Sequence, residues 1–409
     1  MERLRWVALV LFLLVYGWCV LLPAASASTG GFAGYYTSAW ILARYPDELA
    51  RVYEDAWFVE RLEETGIEGV YDIFFIHPPT MTLLLLPLTA FPPATARVIW
   101  TGVNLALLVG GLLLLARALR LSWQWGLWLT PFALLYTPVI ENFRYGQGYL
   151  LLFCLICLLL WAHLTGRRTA AGLVLGQMLL LKTAALWLWP LFLLSKQWRL
   201  LVVALLVAGG AVGALLPLFG LEPWQRYALL LPQLGTLSQR YVTAYQTVTS
   251  LLGHLFIYDE QWNPTPVIHL PLLARLLTLA VQFGTLFFSW RWARLEESRH
   301  EVRVLTLALF LSLVVANGPL GEQHHYAMVL PALLIALWWA RHHRVAGPGW
   351  AWLLLSALLL GAPLPFKALQ LQAGLWALLA YPRVYGAFLL WGWVGWQVTK
   401  SQKSKVQKT

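Results

Sequence analysis

Half of the acidic residues of this chain lie between residues 24 and 77, although most of the chain is apolar. A carboxylate that is partly desolvated beside apolar helices has a raised pKa and can take a proton from a hydroxyl group. Asp55 and Asp72, which follow Tyr53 and Tyr71, are the candidates for such a general base. The other acids of this stretch are expected to be solvated: Asp47, Glu48, Glu54, Glu60, Glu63, Glu64 and Glu68.

Lys182 is a lone cation in an apolar segment, Met178-Leu-Leu-Leu-Lys182-Thr183. An ionisable group at this depth is costly, so a functional interpretation is the default. A point cation there suits a lipid-linked phosphate. The alternative is an internal ion pair with an acid of a loop.

Two further polar clusters interrupt apolar segments. The first, residues 141–147, contains Arg144 and Gln147. The second, residues 317–326, contains Glu322, His324 and His325. These three residues offer metal-ligand chemistry, but adjacent histidines on a helix point about 100° apart, which disfavours a shared ion. Hydrogen bonding to a phosphate or to sugar hydroxyls is the preferred role, and no metal is predicted.

The elements that must position these residues are membrane helices. Hydrophobic residues make up 60% of the chain, charged residues 11%, and the mean hydropathy is +0.66. Continuous apolar runs predict an all-α polytopic bundle of about 10–13 transmembrane helices, without the alternation of membrane strands. The candidate spans are 6–23, 78–91, 96–116, 124–140, 148–164, 169–194, 200–219, 271–290, 304–319, 326–340, 350–364 and 371–397.

The net charge of +11 comes from short basic clusters between the spans, which is the positive-inside pattern and not a nucleic-acid footprint. These clusters predict that the loops 24–77, 221–270 and 317–325 share the opposite, extracytoplasmic face of the cell membrane. Because basic pairs flank 169–194, that segment is predicted to be a hairpin with Lys182 near its turn. One domain, 1–399, and a basic cytoplasmic tail, 400–409, are expected.

The first loop is predicted to begin with an amphipathic helix on the membrane surface, residues 35–45, followed by a helical run, 48–64. The small residues at 24–27 leave open that the first span is a cleaved signal peptide. Cys154 and Cys157 form a C-x-x-C pair inside an apolar helix, which favours buried packing over redox chemistry. Neither a phosphate-binding G-x-x-x-x-G-K-[ST] loop nor a D-x-D pair occurs, so no nucleotide and no cofactor are predicted.

Short motifs along residues 30–345 together resemble glycosyltransferase family 87, the polyprenyl-phosphate-mannose-dependent mannosyltransferases of the GT-C superfamily. The motifs are Phe32-x-x-Tyr35-Tyr36, Tyr53-x-Asp55, His77-Pro78-Pro79, Pro87, Trp100, Asn104, Gly146-Gln147, Arg167 through Ala171-Gly172-x-x-x-Gly176 to Lys182, Lys196-x-Trp198-Arg199, Gly318-Pro319, His324-His325-Tyr326 and Pro331.

This resemblance implies a helical bundle whose extracytoplasmic loops enclose a lipid-phosphate sugar and an acceptor. Four residues stand at positions that match the motifs, and the resemblance implies that they are donor-site candidates: Gln147, Lys182, His324 and His325. The family's pattern has an acid before Phe-x-x-Tyr-Tyr, where this chain has Gly31. The base must therefore come from elsewhere in the same loop.

The expected function is transfer of a sugar, mannose or another hexose, from a polyprenyl-phosphate donor to a lipid or glycan acceptor. The donor-site candidates are Lys182, His324, His325, Arg144, Gln147 and Glu322. Membrane lipids are expected partners, and nucleic acid is not. The alternative is a catalytically degenerate protein that binds a lipid carrier, or a transporter; the lack of a recognisable internal repeat disfavours transport.

Overall fold

A computed structural model of the chain describes residues 2–74, 77–235, 237–293 and 300–406. Its regular structure in these ranges is helical, with two isolated β-bridges, Tyr245 to Glu322 and Asp259 to Asn263. The α-helices are α1 Glu2–Tyr16, α2 Leu22–Ser26, α3 Phe32–Arg44, α4 Asp55–Glu64, α5 Pro93–Ala118, α6 Trp123–Leu135, α7 Thr137–Tyr145, α8 Tyr149–Leu164, α9 Arg168–Leu181, α10 Trp189–Leu194, α11 Trp198–Phe219, α12 Glu222–Leu230, α13 Val248–Phe256, α14 Pro271–Ala293, α15 His300–Ser312, α16 Leu330–His342, α17 Gly347–Gly361 and α18 Pro382–Val406.

Within the described residues, four helical stretches are long and apolar enough to cross a bilayer: Arg3–Ser26, Pro93–Ala118, Trp198–Phe219 and Pro271–Ala293. Of the shorter apolar helices, α8 packs against α5 and α9 packs against α11, whereas α17 packs against α18. The chain is therefore an all-α polytopic membrane protein, as the sequence predicts. Part of the predicted basic cluster at 291–303 and the end of the tail lie outside the described residues.

The predicted span 78–91 is wrong. The segment forms two short 3₁₀ helices, Pro79–Leu83 and Leu86–Ala90, that pack on α3. Its apolar composition suggested a span, but Pro78, Pro79 and Pro87 remove backbone donors and prevent a continuous helix.

The helices run between two ends of the bundle, which we call the basic end, where the basic clusters lie, and the polar end, where the three predicted loops lie. At the basic end, His300 Nε2 lies 3.0 Å from the carbonyl oxygen of Ala118, and the Arg341 guanidinium lies 5.6 Å from the Trp125 ring. At the polar end, the three predicted loops contact one another. Arg226 of the second loop pairs with Glu54 of the first at 2.6 Å, and the Gln246 N–H donates to the Gly321 carbonyl at 2.7 Å.

Lys182 lies at the turn of the segment 169–194, as predicted. Helix α9 ends at Leu181, Lys182 is extended (φ −156°, ψ 136°), and the chain continues through a 3₁₀ turn, Thr183–Leu188, into α10. The Phe192 ring of α10 contacts the His163 ring at the end of α8, 5.3 Å away, so the chain has returned to the basic end. The break thus holds Lys182 at the polar end.

The first loop folds as a second core on the polar end, and α3 does not lie on the membrane surface as predicted. Eleven of its residues, Phe32–Leu42, are buried, and they pack against apolar side chains of the rest of the loop. Amphipathic spacing does not distinguish a lipid-facing side from one that packs against protein. The run predicted at 48–64 is a 3₁₀ helix, Pro46–Tyr53, followed by α4.

Arg97 fixes the C-terminus of α7 beside this loop. It is 2% exposed, and its Nη2 donates to the carbonyl oxygens of Phe143 (2.7 Å) and Arg144 (3.0 Å). A cation that satisfies the last carbonyls of a helix also complements the helix dipole. Arg97 therefore ties α7 to α5 directly below the polar end.

Candidate active site

The carboxylate of Asp72 lies at the N-terminus of α3. Its Oδ2 accepts hydrogen bonds from the backbone N–H groups of Gly31 (2.5 Å) and Gly34 (2.9 Å), and its Oδ1 accepts one from Ile73 (3.0 Å). The first N–H groups of a helix have no partner within the helix and carry the positive end of its dipole. Asp72 therefore fills an anion position that the helix itself creates.

Two glycines make room for this carboxylate. A Cβ on Gly34 would lie 2.7 Å from Oδ2 of Asp72. Gly31 has φ +86°, and a Cβ there would lie 2.4 Å from Nε2 of Gln147. An aspartate at position 31 would therefore be strained and would collide with Gln147. We call Gly31, Gly34 and the N–H groups that hold Asp72 the glycine socket.

Lys182 meets His77 and Tyr149 at the same end of the bundle. Its Nζ lies 2.5 Å from Nδ1 of His77 and 5.2 Å from the Tyr149 ring centroid. His77 in turn contacts the Tyr35 ring, 5.1 Å away, one residue beyond the socket. The lysine and the aspartate thus belong to one connected cluster.

His324 and His325 join this cluster through Tyr149. The Tyr149 ring lies 5.1 Å from the His324 ring and 4.1 Å from the His325 ring. Because the Lys182 ammonium group lies 5.2 Å from the centroid of the same tyrosine ring, the centres of both imidazoles lie within two helical turns, about 11 Å, of it. The structure therefore brings these three residues together, and their role as a shared donor site stays a prediction.

The hydrogen bonds around His325 define its tautomer. The Glu322 backbone N–H donates to Nδ1 of His325 at 3.1 Å, so Nδ1 is an acceptor. In the neutral ring the proton is then on Nε2, which lies 2.5 Å from the Tyr149 hydroxyl oxygen. Since His325 donates to this oxygen, the Tyr149 O–H is left to donate elsewhere.

Burial dominates the electrostatics of the loop residues. It raises the pKa of Asp72, which the N–H groups of the socket and the charge of Lys182 partly offset. It also raises the pKa of Glu322, with Lys367 as the largest opposing influence. Burial lowers the pKa of His324 to about 3 and that of His77 well below its ordinary value, in both cases reinforced by Lys182. The imidazoles are therefore neutral at pH 7.

The remaining candidates lie at different distances from the cluster. Gln147 is part of it, because its Oε1 accepts from the Tyr35 hydroxyl at 3.0 Å. Glu322 adjoins it, with Oε2 3.9 Å from Nδ1 of His324. Arg144 has an exposed guanidinium 3.6 Å from Glu141. Asp55 begins α4 and is exposed, and the contacts described above do not include it.

Sequence reasoning did not select His77 or Tyr149 as site residues. His77 was visible only as part of His77-Pro78-Pro79 in the family resemblance. Tyr149 begins an apolar helix, so nothing in its local pattern set it apart. A group of possible metal ligands, Glu301, His342 and His343, lies at the basic end, away from this cluster.

Comparison with known proteins identifies the family. The model of glycosyltransferase family 87 matches residues 75–316, more than half of the chain. The chain belongs to this family. The matched range includes His77, Gln147, Tyr149 and Lys182 and leaves out Asp72 and the His324-His325 pair.

Named relatives support the same placement. The chain is 29% identical over 65% of its length to an alpha-(1->3)-arabinofuranosyltransferase of Mycobacterium tuberculosis, and it spans 59% of that protein. It is 26% identical over 66% of its length to a polyprenol-phosphate-mannose-dependent alpha-(1-2)-phosphatidylinositol mannoside mannosyltransferase of the same organism, spanning 64% of it. A pentamannoside mannosyltransferase of Mycolicibacterium smegmatis is 23% identical over 71% of the chain and is covered to 67%. No solved structure matches the chain.

The glycine socket is testable without an activity assay. Gly34→Ala should lower the thermal midpoint of unfolding, because the new Cβ displaces the Asp72 carboxylate from the two N–H groups. Losing a buried hydrogen bond to a charged group costs about 1.5–3 kcal/mol. Asp72→Ala removes the same interaction, so the double variant should lose much less than the sum of the single losses.

Gly30→Ala is the matched control, since its Cβ would meet atoms no nearer than 3.6 Å. Purified variants in one detergent can be compared by thermal unfolding. Additive losses in Gly34→Ala and Asp72→Ala would contradict a direct contact between the two residues.

Proposed function

We propose that this protein transfers a sugar from a polyprenyl-phosphate donor to a hydroxyl group of a lipid or glycan acceptor. The reaction takes place at the polar end of the bundle, on the extracytoplasmic face of the cell membrane. The observation that carries the proposal is that one cluster at this end contains both the carboxylate of Asp72, held in the glycine socket, and the buried ammonium group of Lys182. Membership of glycosyltransferase family 87 supports it.

The reaction is a single displacement. Asp72 takes the proton of the acceptor hydroxyl while the acceptor oxygen forms a bond to the anomeric carbon of the sugar. The bond between that carbon and the phosphate oxygen breaks, and its electron pair leaves with polyprenyl phosphate. The raised pKa of Asp72 favours proton acceptance, because a general base works best with a pKa near the operating pH.

Lys182 and Tyr149 stabilise the departing phosphate. The Lys182 ammonium is a compact cation in a buried position, where a charge interaction is stronger than in water. The Tyr149 hydroxyl, which accepts from His325, donates its own proton toward a phosphate oxygen. His77 orients Lys182 through Nδ1.

The other candidates act around this centre. His324 and Gln147 hydrogen-bond to the phosphate or to sugar hydroxyls, and Glu322 accepts from a sugar hydroxyl near His324. His325 acts on the donor through Tyr149, because its two ring nitrogens are engaged by the Glu322 N–H and the Tyr149 hydroxyl. Arg144, which is exposed, attracts the incoming phosphate at the rim. Of the two aspartates predicted as bases, Asp72 is favoured over Asp55, because its carboxylate is held in place by three backbone donors.

The sugar is mannose or another hexose. Relatives are named for mannose and for arabinofuranose, so the identity of the sugar needs a direct test. The purified protein in lipid extract should transfer label from polyprenyl-phosphate mannose and not from polyprenyl-phosphate arabinose. Transfer of arabinose alone would overturn the hexose assignment. A folded protein that binds donors without any transfer would instead be a degenerate lipid-carrier binder.

Lys182→Ala should abolish donor binding while the protein remains folded, because it removes the cation that faces the phosphate. Lys182→Arg should retain part of the binding. Lys196→Ala, which alters an exposed lysine at the basic end, is the matched control. Equilibrium binding of a labelled polyprenyl phosphate measures the effect, and unchanged affinity in Lys182→Ala would exclude a phosphate contact.

Asp72→Asn should lower the transfer rate by roughly 10²- to 10⁴-fold, the range expected for loss of a general base. The amide keeps the shape of the side chain but cannot take the proton. Asp55→Asn and Glu63→Gln, which change acids outside the cluster, should keep nearly full activity. If Asp55→Asn falls in that range and Asp72→Asn does not, the base is Asp55.

A further inference from the structure

Two neighbouring cavities lie at the basic end of the bundle, opposite the candidate active site. One, of about 500 Å³, lies between α6, α16 and α17 and is lined by apolar residues together with Arg341 and Arg344. The other, of about 450 Å³, includes Arg5 of α1. Trp125 and Arg341 line both, so the cavities form one basin around Arg341.

The described lining of the basin is positively charged. Among the residues that the structure describes, three arginines and His342 line it, and no aspartate or glutamate does. Glu301 of α15 lies instead beside His342 and His343, at 3.7 Å and 3.3 Å. The basin therefore favours an anionic occupant.

The aromatic lining places the basin at a membrane interface. Trp125, Trp128, Trp338 and Trp350 line it, and tryptophans concentrate where hydrocarbon meets the headgroup region. The Arg341 guanidinium lies over the Trp125 ring, 5.6 Å from its centroid, which holds the cation in place. An occupant of this basin thus needs an anionic head and an apolar body.

The basin is separate from the donor site. Helix α16 begins at Leu330, close to the His324-His325 pair, and ends at His342 on the basin. Its 13 residues span about 20 Å at 1.5 Å per residue. A lipid held here cannot be the donor in the reaction proposed above.

We infer that this basin binds an anionic phospholipid of the surrounding bilayer. Its phosphate meets Arg341 and Arg344, Arg5 approaches from α1, and an acyl chain lies along the leucines between α6 and α16. Basic pockets between membrane helices suit such headgroups. The lipid links the N-terminal helical stretch, Arg3–Ser26, to the rest of the bundle; only 17% of the most apolar 18-residue window of this stretch is buried within the protein.

The alternative is that these arginines are ordinary solvated cations of the basic end. Arg167 and Arg168 provide a matched control, because both are exposed at the same end and Arg167 also lies over a tryptophan, Trp161, at 4.5 Å. Neither residue lines the basin.

The test compares thermal unfolding in detergent with added phosphatidylglycerol, phosphatidylcholine or inorganic phosphate. Phosphatidylglycerol should raise the midpoint of the wild type by roughly 2 °C or more, since a ligand that binds the folded state stabilises it. The other two additives should not. The double variant Arg341→Gln/Arg344→Gln should lose this rise, and Arg167→Gln/Arg168→Gln should keep it.

Three results would overturn the inference. First, the rise in the unfolding midpoint with phosphatidylglycerol could persist in Arg341→Gln/Arg344→Gln. Second, the rise could disappear equally in Arg167→Gln/Arg168→Gln, which would mean that anionic lipid is attracted to the basic end in general. An equal rise with inorganic phosphate or phosphatidylcholine would show that no anionic lipid is selected. None of these results depends on whether the protein transfers sugar.

Discussion

The polar end of this protein is organised around a carboxylate held at the start of a buried helix. Asp72 reaches the N–H groups of Gly31 and Gly34 across about forty residues of chain, and it thereby fixes the loop to α3. The helix dipole and the N–H groups favour the charged form of the carboxylate, while burial opposes it. The balance leaves a fixed carboxylate whose pKa lies above the ordinary value.

The same arrangement explains why glycine stands at position 31, where the resemblance of the motifs implies an acid. An acid at position 31 would need a backbone conformation that only glycine adopts readily and would overlap Gln147. Asp72, which lies further along the same loop, instead places its carboxylate beside the backbone N–H group of residue 31. The glycine at 31 is therefore part of the acid's binding site, and Gly31→Asp is not expected to restore a lost function.

The sequence predicted those features that depend on local chemistry. The lone Lys182 between two basic clusters indicated a hairpin turn, and the structure confirms it. The predicted span at 78–91 rested on apolar composition and gave too little weight to the prolines of this segment, so it is wrong. Burial of α3 and the contact of His77 with Lys182 depend on packing between distant segments, which spacing along one chain does not reveal.

The pH dependence of sugar transfer tests the central role of Asp72 most directly. A base is active only when deprotonated, so activity is lost as the pH falls through its pKa. Because burial raises that pKa, the acidic limb of kcat/KM should lie at a higher pH than for an ordinary aspartate, and Asp72→Glu should shift it. An acidic limb at the ordinary value that is the same in both proteins would contradict the assignment of Asp72 as the base.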